Sequence, residues 1–410
     1  MGLLPESAND IKIPKMHCIK QIFEPEYIAD IEQAIVDEMN KPEIAELIKP
    51  GMKVALAVGS RGIHKIDLIT RRVGLVLKEK GAAPFIVPAM GSHGGGVASG
   101  QSEILESYGI TEETMEMPVL SSMEVIKLGK TKNGVDVYID KIAHEEADLI
   151  IPIVRIKPHT DYKAPIESGL CKMLVIGLGK HIGCSRMHQE GFSAFGALIP
   201  EAAGIILQNA KIGFGIAIVE NAYDKPFLIE AVKADSIMQR EPELLKIAKA
   251  KMPSIMLDEI DVLVINELGK DISGAGMDPN ITGRTTKGVL TGFQGPKIQR
   301  IIVKGLTQAT HGNATGIGLA DFILKKGYEQ MDLPSTYTNS VGSGNPEAGR
   351  IPVIVDDERQ GIIASLLTCV GIDIANPKIV NIKNTLDLSE IWVSDALLPY
   401  CKNERMQLVS

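Results

Sequence analysis

Aromatic residues are scarce in this chain: Phe, Tyr and Trp make up 4% of its 410 residues, with a single tryptophan. A core of that composition must be aliphatic, as in sheets covered by helices on both faces. Positive charge is not in excess either. A net charge of −8 and a pI near 5.6 exclude the basic footprint of a nucleic-acid-binding protein. No uncharged apolar run approaches the ~18 residues that span a bilayer. The first ten residues have neither the basic nor the apolar region of a signal peptide, so no membrane association and a cytoplasmic location are expected. Five scattered cysteines, an odd number, do not form a disulfide framework. What remains, 45% hydrophobic and 23% charged residues, is the composition of a globular protein long enough for two domains.

Periodicity predicts an α/β fold of two α/β domains with largely parallel sheets, the active site in the cleft between them. Helical spacing over 26–47 stops at Lys49-Pro50-Gly51. Buried-strand patterns at 54–59 and 84–88 flank an amphipathic helix at 66–80, which makes a βαβ unit with a parallel pair. A helix over 99–108 and a hairpin joining 125–128 to 135–138 follow, then a strand at 149–154. Next come a helix at 195–208 and a pair of strands, 214–219 and 227–232. The charged helix 239–251 ends before Pro253 and bridges to a second run of strands and helices. In that run, strands are expected at 260–265, 301–304 and 379–382, and helices at 315–325 and 358–367. The resulting domains are 1–255, cofactor-binding and catalytic, and 256–385, with the segment 386–410, including a strand at 390–394, returning to the first.

The richest stretch runs from Lys157 to His188 and holds three histidines and two cysteines. His159 stands just beyond the 149–154 strand, where open α/β sheets place their ligands. Arg61 and His93 occupy equivalent positions after the strands at 54 and 84, and Gly94, Gly95 and Gly96 follow His93. Any single histidine is more often structural than functional; three strand ends that deliver such groups to one sheet edge suggest a site. Lys172 lies in an apolar segment, where an ammonium is costly unless paired, deprotonated or covalently used. In the second domain, the glycine-rich loop 267–284 carries Lys270, Asp271, Asp278, Asn280 and Arg284, which suit a carboxylate or phosphate.

The order and spacing of Arg61, His93 in Gly-Ser-His, His159 in Lys-Pro-His, Lys172 in Ser-Gly-Leu-Cys-Lys and His188 sixteen residues on resemble the nickel-dependent lactate racemases and related 2-hydroxyacid racemases and epimerases. The resemblance implies an isomerase in which His93 and His159 are the acid/base pair. It implies a nickel-pincer nucleotide attached covalently at Lys172, with His188 as nickel ligand and Arg61 near substrate and cofactor. It also implies cofactor-synthesis proteins as partners. The Glu167-Ser-Gly-Leu-Cys171 run and the turn at Arg61 depart from the family's usual forms.

Racemising a 2-hydroxy acid breaks a weakly acidic C2–H bond. Removal as hydride, with a base taking the hydroxyl proton, needs one base per face, and histidine has the appropriate pKa. No side chain accepts hydride, so a cofactor is obligatory. Imidazole suits nickel at His188, and backbone amides at Gly94 and Gly95 suit a phosphate. Arg61, Lys270 and Arg284 are the expected substrate anchors, and a polar wall suits a small or medium 2-hydroxy carboxylate, a sugar acid rather than lactate. The alternatives are a zinc hydrolase using His93, His159 and His188, or a non-catalytic cofactor- or nucleotide-binding protein.

Overall fold

The computed structural model describes all residues except 1–3, 6, 7, 9, 60, 61, 287–291, 294 and 410. The chain divides into two compact units, Pro25–Met252 and Met1–Glu24 with Pro253–Ser410.

In the first unit a five-stranded sheet runs in the order Ala83–Pro88, Lys53–Val58, Leu149–Arg155, Phe214–Glu220, Pro226–Lys233. The first four strands are parallel and the last closes an antiparallel hairpin on its neighbour, as its sequence predicts. Both faces are covered. Val54, Leu56 and Val58 pack with Ile66, Ile69 and Val73 on one face, while Ala55 and Ala57 join Leu170, Leu174 and Phe195 on the other. That two-residue alternation is the pleat of a strand buried on both sides. The chain leaves Lys53–Val58 for one neighbour, Ala83–Pro88, and later returns to the other, Leu149–Arg155. The order of strands therefore reverses at Lys53–Val58, and its carboxyl end is where a ligand crevice forms in such sheets. The helical spacing expected over 26–47 resolves into Ile31–Met39, capped by Asp30, and Pro42–Ala45, because Pro42 cannot continue the first helix.

The second unit has an eight-stranded sheet. Val353–Val355, Phe322–Leu324, Lys297–Val303, Glu259–Ile265 and Ile379–Ile382 are parallel, followed by antiparallel Glu390–Ser394, Met16–Gln21 and Met406–Leu408. The C-terminal segment thus does not return to the first unit. Glu390–Ser394 pairs with Ile379–Ile382 on one side and with Met16–Gln21 on the other, so the N-terminal residues join this unit instead. The helix expected over 315–325 is also absent. Gly316, at φ +101 and pressed against the Ala275 carbonyl, turns the chain into a single 3₁₀ turn, and Phe322–Leu324 is a fully buried strand.

Candidate active site

Three connections leave the carboxyl ends of the adjacent strands Lys53–Val58, Ala83–Pro88 and Leu149–Arg155. The third, after Leu149–Arg155, leads through His159 into a short helix, Leu170–Lys172, then a wide π turn, Met173–Gly177, then the helix Lys180–His188. Single π turns recur at functional sites. This one rests on the ends of the other two strands: a Cβ at Gly59 would stand 2.7 Å from Met173 Cε, and one at Gly177 2.7 Å from the Ala89 carbonyl. At Gly177 the obstacle is backbone, so only glycine allows the approach there, and the turn that follows Lys172 seats directly on the sheet edge.

His159 is nearly buried, and its surroundings restrain it from several sides. Its backbone N–H donates to Glu167 Oε2 at 2.7 Å, and its ring lies 4.4 Å from Tyr162 and 5.7 Å from Phe192, between centroids. Glu167, fully buried, is paired with Lys163 at 3.2 Å and Lys249 at 2.7 Å. The Asp161 N–H donates to His159 Nδ1 at 3.0 Å. A backbone amide can only donate, so in the neutral ring the proton resides on Nε2.

His188 shares these aromatic neighbours, with ring centroids 5.5 Å from Phe192 and 5.1 Å from Phe195. Its Nδ1 lies 2.7 Å from the Cys184 carbonyl and 3.5 Å from Cys184 Sγ, one helical turn earlier. The carbonyl requires a proton on Nδ1, which leaves Nε2 as the nitrogen able to take a metal, oriented by a backbone acceptor as metal-binding histidines are. Burial alone would lower the His188 pKa; the Cys184 thiol and carbonyl outweigh it and raise the pKa above the usual histidine range, opposed by the charge of Lys172. The Cys184 thiol is the counterpart. Burial raises its pKa, but His188 and Ser92 together bring it below the ordinary thiol range.

The connection after Ala83–Pro88 presents His93, exposed, and then Gly94, Gly95 and Gly96, all at positive φ. A Cβ at Gly94 would collide with the backbone of Gly100, at 2.4 Å, whereas nothing lies within 4 Å of one at Gly95. Ser92 Oγ is 3.5 Å from Cys184 Sγ, and a Cβ at Gly96 would stand 3.1 Å from the His181 ring. The His93 turn therefore lies along the helix that ends in His188. Arg61 lies outside the described residues.

Lys270 and Arg284 belong to the other unit and are engaged within it. Lys270 Nζ donates to Asn339 Oδ1 at 2.7 Å and to the Gly274 carbonyl at 3.2 Å. The Arg284 guanidinium pairs with Asp321 and donates to the carbonyls of Leu319, Ile298 and Gln299, so it ties the loop to two strand ends. Among the described residues no three of His, Cys, Asp and Glu are grouped to hold a metal, which removes support from a zinc site built on three histidines.

Residues 6–194 match the family model of the lactate racemase N-terminal domain. Over those residues, just under half of the chain, it is similar to the N-terminal domain of lactate racemases. Two solved structures share the fold. One is a Thermotoga maritima protein (TM-score 0.51, 12% identity, 78% of this chain and 81% of that one). The other is the lactate racemase apoprotein of Thermoanaerobacterium thermosaccharolyticum (TM-score 0.50, 11% identity, 84% and 90%). No curated protein sequence matches the chain.

Three buried charged residues of the first unit are functional candidates that periodicity did not single out. Glu167 holds the backbone of His159. Glu241, on the helix Ile237–Lys251, accepts from the Cys171 N–H at 2.8 Å, next to Lys172. Lys180 is fully buried, 2.9 Å from the equally buried Asp140. The only local signal is a charge within or beside an apolar run, and that signal led to Lys172, which the structure leaves half-buried.

Proposed function

We propose that the protein is a racemase or epimerase of a 2-hydroxy carboxylic acid, with Lys172 as the attachment point of a nickel-pincer nucleotide and His188 Nε2 as a nickel ligand. The observation that carries this reading is the assembly around the Lys172 turn. One sheet edge brings the His159 connection, the His93 connection and the His188 helix against it, in a stretch similar to the N-terminal domain of lactate racemases. The residues suit such a group. Lys172 is half-buried and close enough to His188 to oppose its protonation, His188 has Nδ1 committed and Nε2 left, and the open side of Gly95 admits a ligand to the backbone. The cofactor, when bound, supplies the hydride acceptor that no side chain can provide.

The protein's own groups manage the proton. His159, in the tautomer set by Asp161, presents Nε2–H as a hydrogen-bond donor to the substrate oxygen, and it gives up a proton there only as the imidazolium, protonated on both nitrogens. His93, on the other connection, acts as base for that direction of reaction. To act as acid or as base His159 must give up the Asp161 amide bond and carry a proton on Nδ1, which faces the Asp161 carboxylate at 3.6 Å. The ring stack of Tyr162, Phe192 and Phe195 limits water around His159 and His188.

The test is chiral analysis of 2-hydroxy acids incubated with cofactor-loaded protein. His93→Ala and His159→Ala should each lose roughly 10²–10⁴-fold in turnover, the usual contribution of a general acid/base. Full activity in either variant removes that histidine from the mechanism.

A further inference from the structure

Lys180 combines two costly features. Its ammonium is fully buried, and its backbone lies in the left-handed region, at φ +54, which disfavours any side chain with a Cβ. A buried ion pair such as Lys180–Asp140 is no better for stability than apolar packing of the same volume. Backbone strain of this kind concentrates where function over-determines the geometry. The partners of the ammonium show what the placement achieves. Lys180 Nζ donates to the Pro88 carbonyl, the last residue of the strand that leads to His93, and to Gln101 Oε1 at 3.3 Å. Gln101, also fully buried, turns its amide to the carbonyls of Gly91 at 2.9 Å and His93 at 3.4 Å. The ammonium thus holds the entrance of the His93 turn directly and its two ends through one glutamine. It does so from the first residue of the helix whose last residue is His188.

We infer that Lys180 is a positioning residue for His93, fixing through Gln101 and the Pro88 carbonyl where the His93 turn stands relative to the helix Lys180–His188. The inference rests on the racemase reading for its catalytic consequence, but not for its structural one. Removing Lys180 alone would leave Asp140 as an unpaired buried charge, so the informative variant is the double substitution K180M/D140N. Asn keeps the cap that Asp140 Oδ1 gives to the Ala143 N–H at 2.7 Å. A second variant, Gln101→Leu, leaves the ion pair and the Pro88 bond intact and breaks only the link through the glutamine.

Two measurements decide. In cofactor-free protein with labelled histidine, the His93 imidazole signal should shift and broaden in both variants, while that of His17, in the other unit, stays in place. In loaded protein, kcat for racemisation should fall roughly 10²-fold, as for an ångström-scale misplacement, with KM and melting temperature little changed. An unmoved His93 signal in both variants, or a wild-type kcat in the folded double variant, overturns the inference. If loaded wild-type protein racemises nothing, only the racemase reading falls, and the His93 signal still decides the role of Lys180.

Discussion

Replacing Glu241 by glutamine should stabilise the first unit at pH 8 and leave it unchanged near pH 4.5. Glu241 is 1% exposed; one carboxylate oxygen accepts from the Cys171 amide and the other, Oε1, is buried without a hydrogen-bond partner. A Cβ at Gly169 would stand 2.4 Å from that oxygen, so only glycine lets the backbone pass beside it. Burial pushes the Glu241 pKa up from the usual 4.5 to about 7, and its bonds from the Cys171 amide and thiol offset only part of the rise. Between these two values the folded protein holds a proton that the unfolded chain has released, so stability falls as pH rises through the window. At about 1.4 kcal/mol per pH unit the loss amounts to about 3 kcal/mol above pH 7. Glutamine cannot ionise and retains an acceptor for the Cys171 amide. The measurement is hydrogen exchange of a peptide covering residues 165–176 at pH 8 and pH 5, since the sole tryptophan, Trp392, lies in the other unit and does not report on this one. The variant should exchange roughly 10²-fold more slowly than wild type at pH 8, with the difference largely gone at pH 5. Equal protection at both pH values would refute the buried, proton-holding carboxyl.

Lys172→Ala should carry no covalent cofactor adduct by intact mass, while His188→Ala should keep the adduct and hold markedly less nickel; an adduct persisting without Lys172 would sink the attachment site. Arg284→Met should destabilise the second unit by about 1–3 kcal/mol, through the lost Asp321 pair and three carbonyl bonds, with Trp392 fluorescence as the reporter. A substrate role for Arg284 instead predicts raised KM with unchanged stability.

Alternation and helical period, set by local sequence, determined most elements of the first unit. The runs that became Lys53–Val58, Leu149–Arg155 and Phe214–Glu220 are continuous and apolar because both of their faces are covered, and burial on two sides is legible without coordinates. The positions of His93 and His159 just beyond strand ends followed from the same reading. Tertiary structure alone decided three things. It sent the N-terminal strand Met16–Gln21 to the second unit, because partner choice between strands depends on which edge is open, not on the strand's own pattern. It turned residues 315–325 from helix to turn and strand, since Gly316 and Gly318 fit against backbone that is distant in sequence. And it distributed the buried charges. Lys172 and Lys180 look alike in sequence, each beside apolar residues, yet only the folded chain shows that Asp140, 40 residues earlier, waits for one of them and that the other stays half-buried beside His188.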